Sequence, residues 1–126
     1  MGLRLALIEL YDRYQIPLMI VENGLGTADE LTDGKVNDDY RITYLREHLS
    51  AIADAINIDG VDVLGYTMWA FTDCVSASTG EYKKRYGLVY INRHDDGSGN
   101  FERIPKASFD YYRQIIRQGG IEDEIS

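Results

Sequence analysis

The chain of 126 residues is long enough for one compact unit, and its 44% hydrophobic and 27% charged residues fit an ordered globular protein. Thirteen Lys and Arg against twenty-one Asp and Glu give a formal charge of -8, which excludes a general binder of nucleic acid or anionic membrane and makes any anion site local. The single cysteine, Cys74, rules out an internal disulfide. With no secretory signal pattern and no apolar run near the ~20 residues of a membrane span, it points to a soluble protein of a reducing, cytoplasmic compartment.

Leu3, Ala6, Leu7, Leu10, Tyr11 and Tyr14 recur at helical spacing, with Arg4, Glu9, Asp12 and Arg13 falling mostly between them, and predict an amphipathic helix over residues 2–14. An apolar face at the very start of a chain implies that the surface it covers belongs to missing sequence. Gln15-Ile16-Pro17 ends the helix, because the residue before a proline avoids the helical region. Residues 18–21 then form a continuous apolar run bounded by Pro17 and Gly24. Such a run suits a strand covered on both faces, as in a parallel sheet. In those sheets the C-terminal strand ends carry the active site, and Glu22 sits at this end. From the residues alone Glu22 has two readings: it marks where the strand leaves the interior, or it is a catalytic carboxylate at the mouth of the core.

Residues 25–35 are polar and glycine-rich with a turn at Asp33-Gly34, a surface loop above the strand tip. Asp38 and Asp39 are placed to cap a helix over about 39–57, with Tyr44, Leu45, His48, Leu49, Ile52, Ala53 and Ile56 on one face. His48 lies in that apolar stripe with no second His or Cys nearby, so a packed structural histidine is preferred to a ligand or base. The same holds for His94 in a turn. Asp59-Gly60 breaks the helix and residues 61–71 read as a second buried strand. Strand, helix, strand with a crossover of this length is a βαβ unit with parallel strands. A polar loop over 72–84 follows. Residues 85–92 and 100–104 flank an Asp-Asp-Gly-Ser-Gly turn as a hairpin. Ser108 then caps a last helix carrying Phe109, Tyr112, Ile115 and Ile116, with Gly119-Gly120 as its stop and an acidic tail over 121–126. There is no internal repeat or domain boundary, so residues 1–126 form one unit. Two parallel strands cannot close a sheet that needs cover on both faces.

Glu22-Asn23-Gly24 at one strand end, Trp69 at the next, and Arg85-Tyr86-Gly87-Leu88 opening the hairpin resemble the C-terminal quarter of glycoside hydrolase family 1, over nearly the whole chain in order and spacing. The loop from Ser76 to Tyr86 is similar to that of the family's 6-phospho-β-glycosidases. The resemblance implies an α/β fold, strands 7 and 8 with flanking helices of a (β/α)8 TIM barrel. It implies that Glu22 is the nucleophile of a retaining glycosidase, forming a glycosyl-enzyme that water later opens. Trp69 would be a flat apolar wall for the sugar. Members that take unphosphorylated glucosides carry a glutamate and a tryptophan at the positions of Ser76 and Ala77. A carboxylate there would repel a 6-phosphate, whereas a serine hydroxyl can donate to it. With Lys84 supplying charge and Tyr86 a second hydroxyl, Ser76, Lys84 and Tyr86 resemble a 6-phosphate clamp. Ala77 favours the gluco configuration. By composition alone Lys83-Lys84-Arg85 would be a solvated basic turn.

The family's acid/base glutamate lies in an Asn-Glu-Pro motif, and here neither Pro17 nor Pro105 follows a glutamate. A whole barrel needs about 250 residues. The chain is therefore expected to be a C-terminal fragment beginning with the helix before strand 7, without metal or organic cofactor. Two functions follow. One is hydrolysis of 6-phospho-β-glucosides, this chain supplying nucleophile and phosphate site. The other is an incompetent fragment that binds sugar phosphate or self-associates through exposed strand edges.

Overall fold

A computed structural model describes residues 2–121. In chain order the elements are α1 (Gly2–Tyr14), β1 (Leu18–Asn23), α2 (Asp39–Asn57), β2 (Val63–Met68), β3 (Val89–Ile91), β4 (Arg103–Pro105) and α3 (Ala107–Gln118). The predicted βαβ unit is present: β1 and β2 pair in parallel with α2 between them in the chain. Of the acidic tail expected over 121–126, residues 122–126 lie outside the described residues, and Ile121, expected to belong to it, is buried.

Leu7 of α1, Ile52 and Ala55 of α2, and Val61 form the buried core, against which Leu18, Ile20, Val63 and Tyr66 of the two strands pack. The helices thus cover one face of the pair. The other face is open, with Met19 52%, Val21 64% and Leu64 69% exposed. Cover on both faces, expected from the apolar run, is met on one side only, since the elements of this chain that reach the pair lie on that side.

The packed stripe of α1 is turned from the one expected. Leu3, Leu7, Ile8 and Tyr11 face the core, while Leu10 and Tyr14 are exposed. Arg4, expected on the polar side, reaches the end of α2 and bonds Asp59 at 2.6 Å and Asp54 at 3.0 Å. The hydrogen bond from Arg4 holds the Asp59 carboxyl below its usual value. Apolar residues on both sides of α1 left its orientation open to such a tie.

Two capping expectations also change. Asp38 precedes α2 but makes no side-chain cap there. Its carboxylate accepts the Ser108 backbone N–H at 2.9 Å and the Ser108 hydroxyl, so it satisfies the free amide of α3 instead. Ser108 lies inside the first turn of α3, after Lys106. Gly119, at φ 76°, ends α3 in the left-handed conformation a glycine adopts without strain. The hairpin is shorter than expected because residues 85–88 pair elsewhere: Arg85 exchanges backbone bonds with Thr27, and the Leu88 N–H donates to Phe71.

What ties these loops together is a group of buried charges. Lys106 donates to Asp29 from the loop after β1, to Asp73 from the loop after β2 at 2.7 Å, and to the Gly87 carbonyl at 2.7 Å. Arg41 of α2 pairs with Asp29 and Asp38 and donates to the Arg85 carbonyl at 3.0 Å. Arg85 pairs with Asp73 at 3.0 Å, donates to the Ile91 and Arg93 carbonyls, and lies over the Tyr90 ring. It is buried, so the solvated-turn reading fails for the third residue of Lys83-Lys84-Arg85. Tyr40 donates to Asp29 as well, and burial followed by that bond raises its pKa. Three cations face three carboxylates, so the group is neutral as a whole.

Removing one partner leaves a buried charge unmatched, at a cost of about 3–5 kcal/mol. Lys106→Met is therefore expected to lower the unfolding free energy by that much and the urea midpoint with it, while Lys35→Met, at an exposed site, shifts both little. Equal midpoints for wild type and Lys106→Met would show that the ion group carries no stability.

Candidate active site

Parallel pairing sets the C-terminal ends of β1 and β2 side by side, with Asn23 opposite Met68. Glu22 precedes that rung and Trp69 follows it. Between the rungs Ile20↔Tyr66 and Asn23↔Met68, β1 uses one residue more than β2. Val21 and Glu22 are consecutive and both exposed, as a bulge permits where strict alternation would send one of them inward. Thr67 hydroxyl donates to the Val21 carbonyl at this irregularity. The bulge releases Glu22 from the helix-covered side.

Behind Glu22 the strand tip is held from two directions. The Trp69 N–H donates to the Asn23 carbonyl at 3.0 Å, and the Tyr66 hydroxyl donates to Asn23 Oδ1 at 2.9 Å. Burial raises the Tyr66 pKa, so this phenol stays a donor. Gly24 lies against Trp69: a Cβ there would fall 2.7 Å from Trp69 Cβ. Trp69 is 44% exposed, and its ring stands 5.6 Å from the Tyr86 ring at a tilt of 34°.

Tyr86 brings in the second loop. Lys84 Nζ lies 5.5 Å from the centre of its ring and 3.4 Å from Ser78 Oγ, which is 3.1 Å from Ser76 Oγ. Ser76 is 1% exposed and Ala77 beside it is exposed. The Tyr86 phenol is held below the usual tyrosine value, first by a hydrogen bond from Lys84 and, against some desolvation, by Ser76 and Ser78. Trp69, Ser76, Lys84 and Tyr86 thus form one connected group; Glu22 is placed beside it only as the chain neighbour of Asn23, whose carbonyl takes the Trp69 N–H. His48 stacks on Tyr44 at 3.8 Å with Nδ1 against the Tyr44 carbonyl, and His94 closes a turn with Ser98. Neither belongs to the site.

Sequence reasoning missed Ser78, Tyr66 and the buried ion group beneath the loops. Ser78 alone left a signal, a hydroxyl two residues from Ser76 in the same loop. Among the described residues no group of three or more His, Cys, Asp or Glu could hold a metal ion, and no helix is long and apolar enough to cross a membrane.

A parallel strand pair with helices on one face and a carboxylate at the paired strand ends is a βαβ portion of an α/β fold, the unit from which (β/α) barrels are also built. Residues 1–121 match Glycosyl hydrolase family 1, and the chain belongs to that family. It is 58% identical over 124 residues to a 6-phospho-beta-glucosidase of Clostridium longisporum, covering 94% of this chain and 26% of that protein. It is 52% identical over 121 residues to 6-phospho-beta-glucosidase AscB of Escherichia coli (strain K12), covering 95% of this chain and 25% of that protein. The family 1 b-glucosidase from Thermotoga maritima in complex with isofagomine lactam superposes with a TM-score of 0.85 at 30% identity, over 96% of this chain and 26% of that one. The chain spans about a quarter of the length of the curated relatives it matches.

The Lys84–Tyr86 contact is testable without substrate. In an alkaline titration followed by phenolate absorbance, Tyr86→Phe should remove a phenol that ionises below the usual tyrosine value, and Lys84→Ala should delay that ionisation, because the ammonium stabilises the phenolate. Tyr40 and Tyr66 should ionise late. An early part of the curve unchanged in Tyr86→Phe would mean that this contact is not made.

Proposed function

We propose that this chain supplies the nucleophile and the phosphate site of a retaining 6-phospho-β-glucosidase, as strands 7 and 8 of its barrel. The observation that carries the reading is the group of Lys84, Tyr86, Ser76 and Ser78, without a carboxylate among them, next to Trp69 and Glu22 at adjoining strand ends. The names of the relatives from Clostridium longisporum and Escherichia coli support the same substrate class.

In this reading the sugar lies with its C–H face on Trp69 and its 6-phosphate toward Lys84 and Tyr86. Glu22 attacks the anomeric carbon, and the glycosyl ester formed is opened by water. The carboxyl that protonates the leaving group and then activates water must stand about 5–5.5 Å from Glu22, and the Asn-Glu-Pro motif that would carry it is absent from this sequence. Hydrogen bonds to an ionised phosphate are stronger than neutral ones. Lys84 therefore exchanges its bond to the Tyr86 phenol for one to phosphate oxygen. The dianion then raises the phenol's pKa, so Tyr86 remains protonated and donates. The second function, an incompetent fragment, has support in the open apolar face of Met19, Val21 and Leu64, a surface that promotes association when uncovered.

Lys84→Ala, in an enzyme of the relatives' full length that carries this chain, should cut kcat/KM for a 6-phospho-β-glucoside roughly 10- to 100-fold, the worth of a bond to a charged group. The plain glucoside should lose far less, and equal losses on both would sink the clamp. The 126-residue chain alone is expected to show no turnover on a 6-phospho-β-glucoside chromogen. Glu22-dependent hydrolysis by it would overturn the missing-partner account.

A further inference from the structure

Gly26 stands four residues beyond the proposed nucleophile and directly beneath the Tyr86 ring. A Cβ at Gly26 would lie 2.5 Å from Tyr86 Cε1 and 2.8 Å from its hydroxyl oxygen, and closer still to Cζ, where carbon atoms rest at about 3.5–4.0 Å. Gly26 is not among the glycines with positive φ. Its φ therefore does not exclude a side chain, and the observed obstacle to one is the space taken by Tyr86. The next residue fixes the register: Thr27 and Arg85 exchange two backbone hydrogen bonds, at 3.0 and 2.8 Å, immediately before Tyr86. Arg85 is in turn locked by Asp73.

We infer that Gly26 is a positioning residue for substrate selectivity: by leaving its side chain out, it seats the Tyr86 ring on the nucleophile's own loop and aims the phenol at Lys84, Ser76 and Ser78. The consequence is that the phosphate end and the reacting end of the sugar are referenced to one segment, residues 22–27, rather than to two loops that move separately. The far end of a tyrosine side chain can swing, so a methyl group at position 26 displaces the ring while the backbone bonds of Thr27 and Arg85 persist. The substrate readout of this inference rests on the 6-phosphate reading above, but the placement of the ring does not.

The test is Gly26→Ala in an enzyme of the relatives' full length that carries this chain, with Gly120→Ala, where a Cβ meets nothing within 4 Å, as the control. Gly26→Ala should raise KM for the 6-phospho-β-glucoside about 10-fold or more, with kcat and the use of the plain glucoside little changed. In a Tyr86→Phe background the same substitution should add nothing to that loss. In alkaline titration Gly26→Ala should move the early-ionising phenol up toward the ordinary tyrosine value. Equal losses on both substrates, an undiminished effect in Tyr86→Phe, or an unmoved phenol would each overturn the inference. If Tyr86→Phe itself leaves the phosphate preference intact while Gly26→Ala still shifts the phenol, the 6-phosphate reading is wrong and the seating of the ring stands.

Discussion

The Lys106 ammonium, enclosed between Asp29, Asp73 and the Gly87 carbonyl, is the contact on which the strand-end loops depend. A cation removed from water is costly unless every donor is matched, and here its three donors have three acceptors. The carboxylates come from two loops, one after each parallel strand, and the ammonium from the residue that leads into α3. The two loops and the helix can therefore be solvated well apart, or matched well together, but an intermediate arrangement strands a charge. Such a group adds little net stability compared with an apolar filling of the same volume. What it adds here is geometry: Asp29 and Asp73 are held at one separation, and with them the chain on either side.

That geometry reaches the site by short covalent paths. Asp73 shares Arg85 with the backbone of Thr27, and Tyr86 follows Arg85 directly. Asp29 belongs to the same loop as Gly24 and Gly26, whose bare α-carbons admit the Trp69 and Tyr86 side chains. The bulge in β1 is the complementary device. It lets Glu22 stand clear of the helix-covered face, while Asn23, one residue on, is fixed by Tyr66 and by the Trp69 amide. The buried ion group lies beneath these loops; of the side chains proposed to meet sugar and phosphate, Glu22 and Trp69 are exposed, Lys84 and Tyr86 are half-buried and Ser76 is buried.

How much of this the sequence discloses follows from the range of the interactions. The α2 helix was legible to the residue, because its apolar positions recur locally and Asp59-Gly60 stops it. The parallel pair followed from the crossover between its strands. Resemblance to a family singled out Glu22, Trp69, Ser76, Ala77, Lys84 and Tyr86, and of these Trp69, Ser76, Lys84 and Tyr86 are linked in space by contacts that run through Ser78. Asp38 and Ser108 were read as caps of their own helices, since capping is the commonest local use of Asp and Ser. Seventy residues apart, they bond each other instead. Arg85 looked solvated because two lysines precede it, and nothing in the neighbourhood of Lys106 announces that it is buried. Ion pairs between distant positions have no period, so composition and spacing are silent about them.

The acidity of the chain and the cationic site proposed for a phosphate are compatible for the same reason. Charges separated by more than a Debye length, about 8 Å at physiological ionic strength, are largely screened from each other. A net charge of -8 spread over the surface therefore acts weakly on an anion already seated. The near field decides, and near Tyr86 Lys84 and two serine hydroxyls contribute to it, while the nearby Asp73 carboxylate is matched by Arg85 and Lys106. Matching Asp29, Asp38 and Asp73 with buried cations offsets those three charges beneath the loop, while the Asp95 carboxylate is taken up by the Tyr82 and Lys83 backbone amides. The ion group thus acts twice, once as a mechanical support and once by cancelling the charges that would oppose a phosphate.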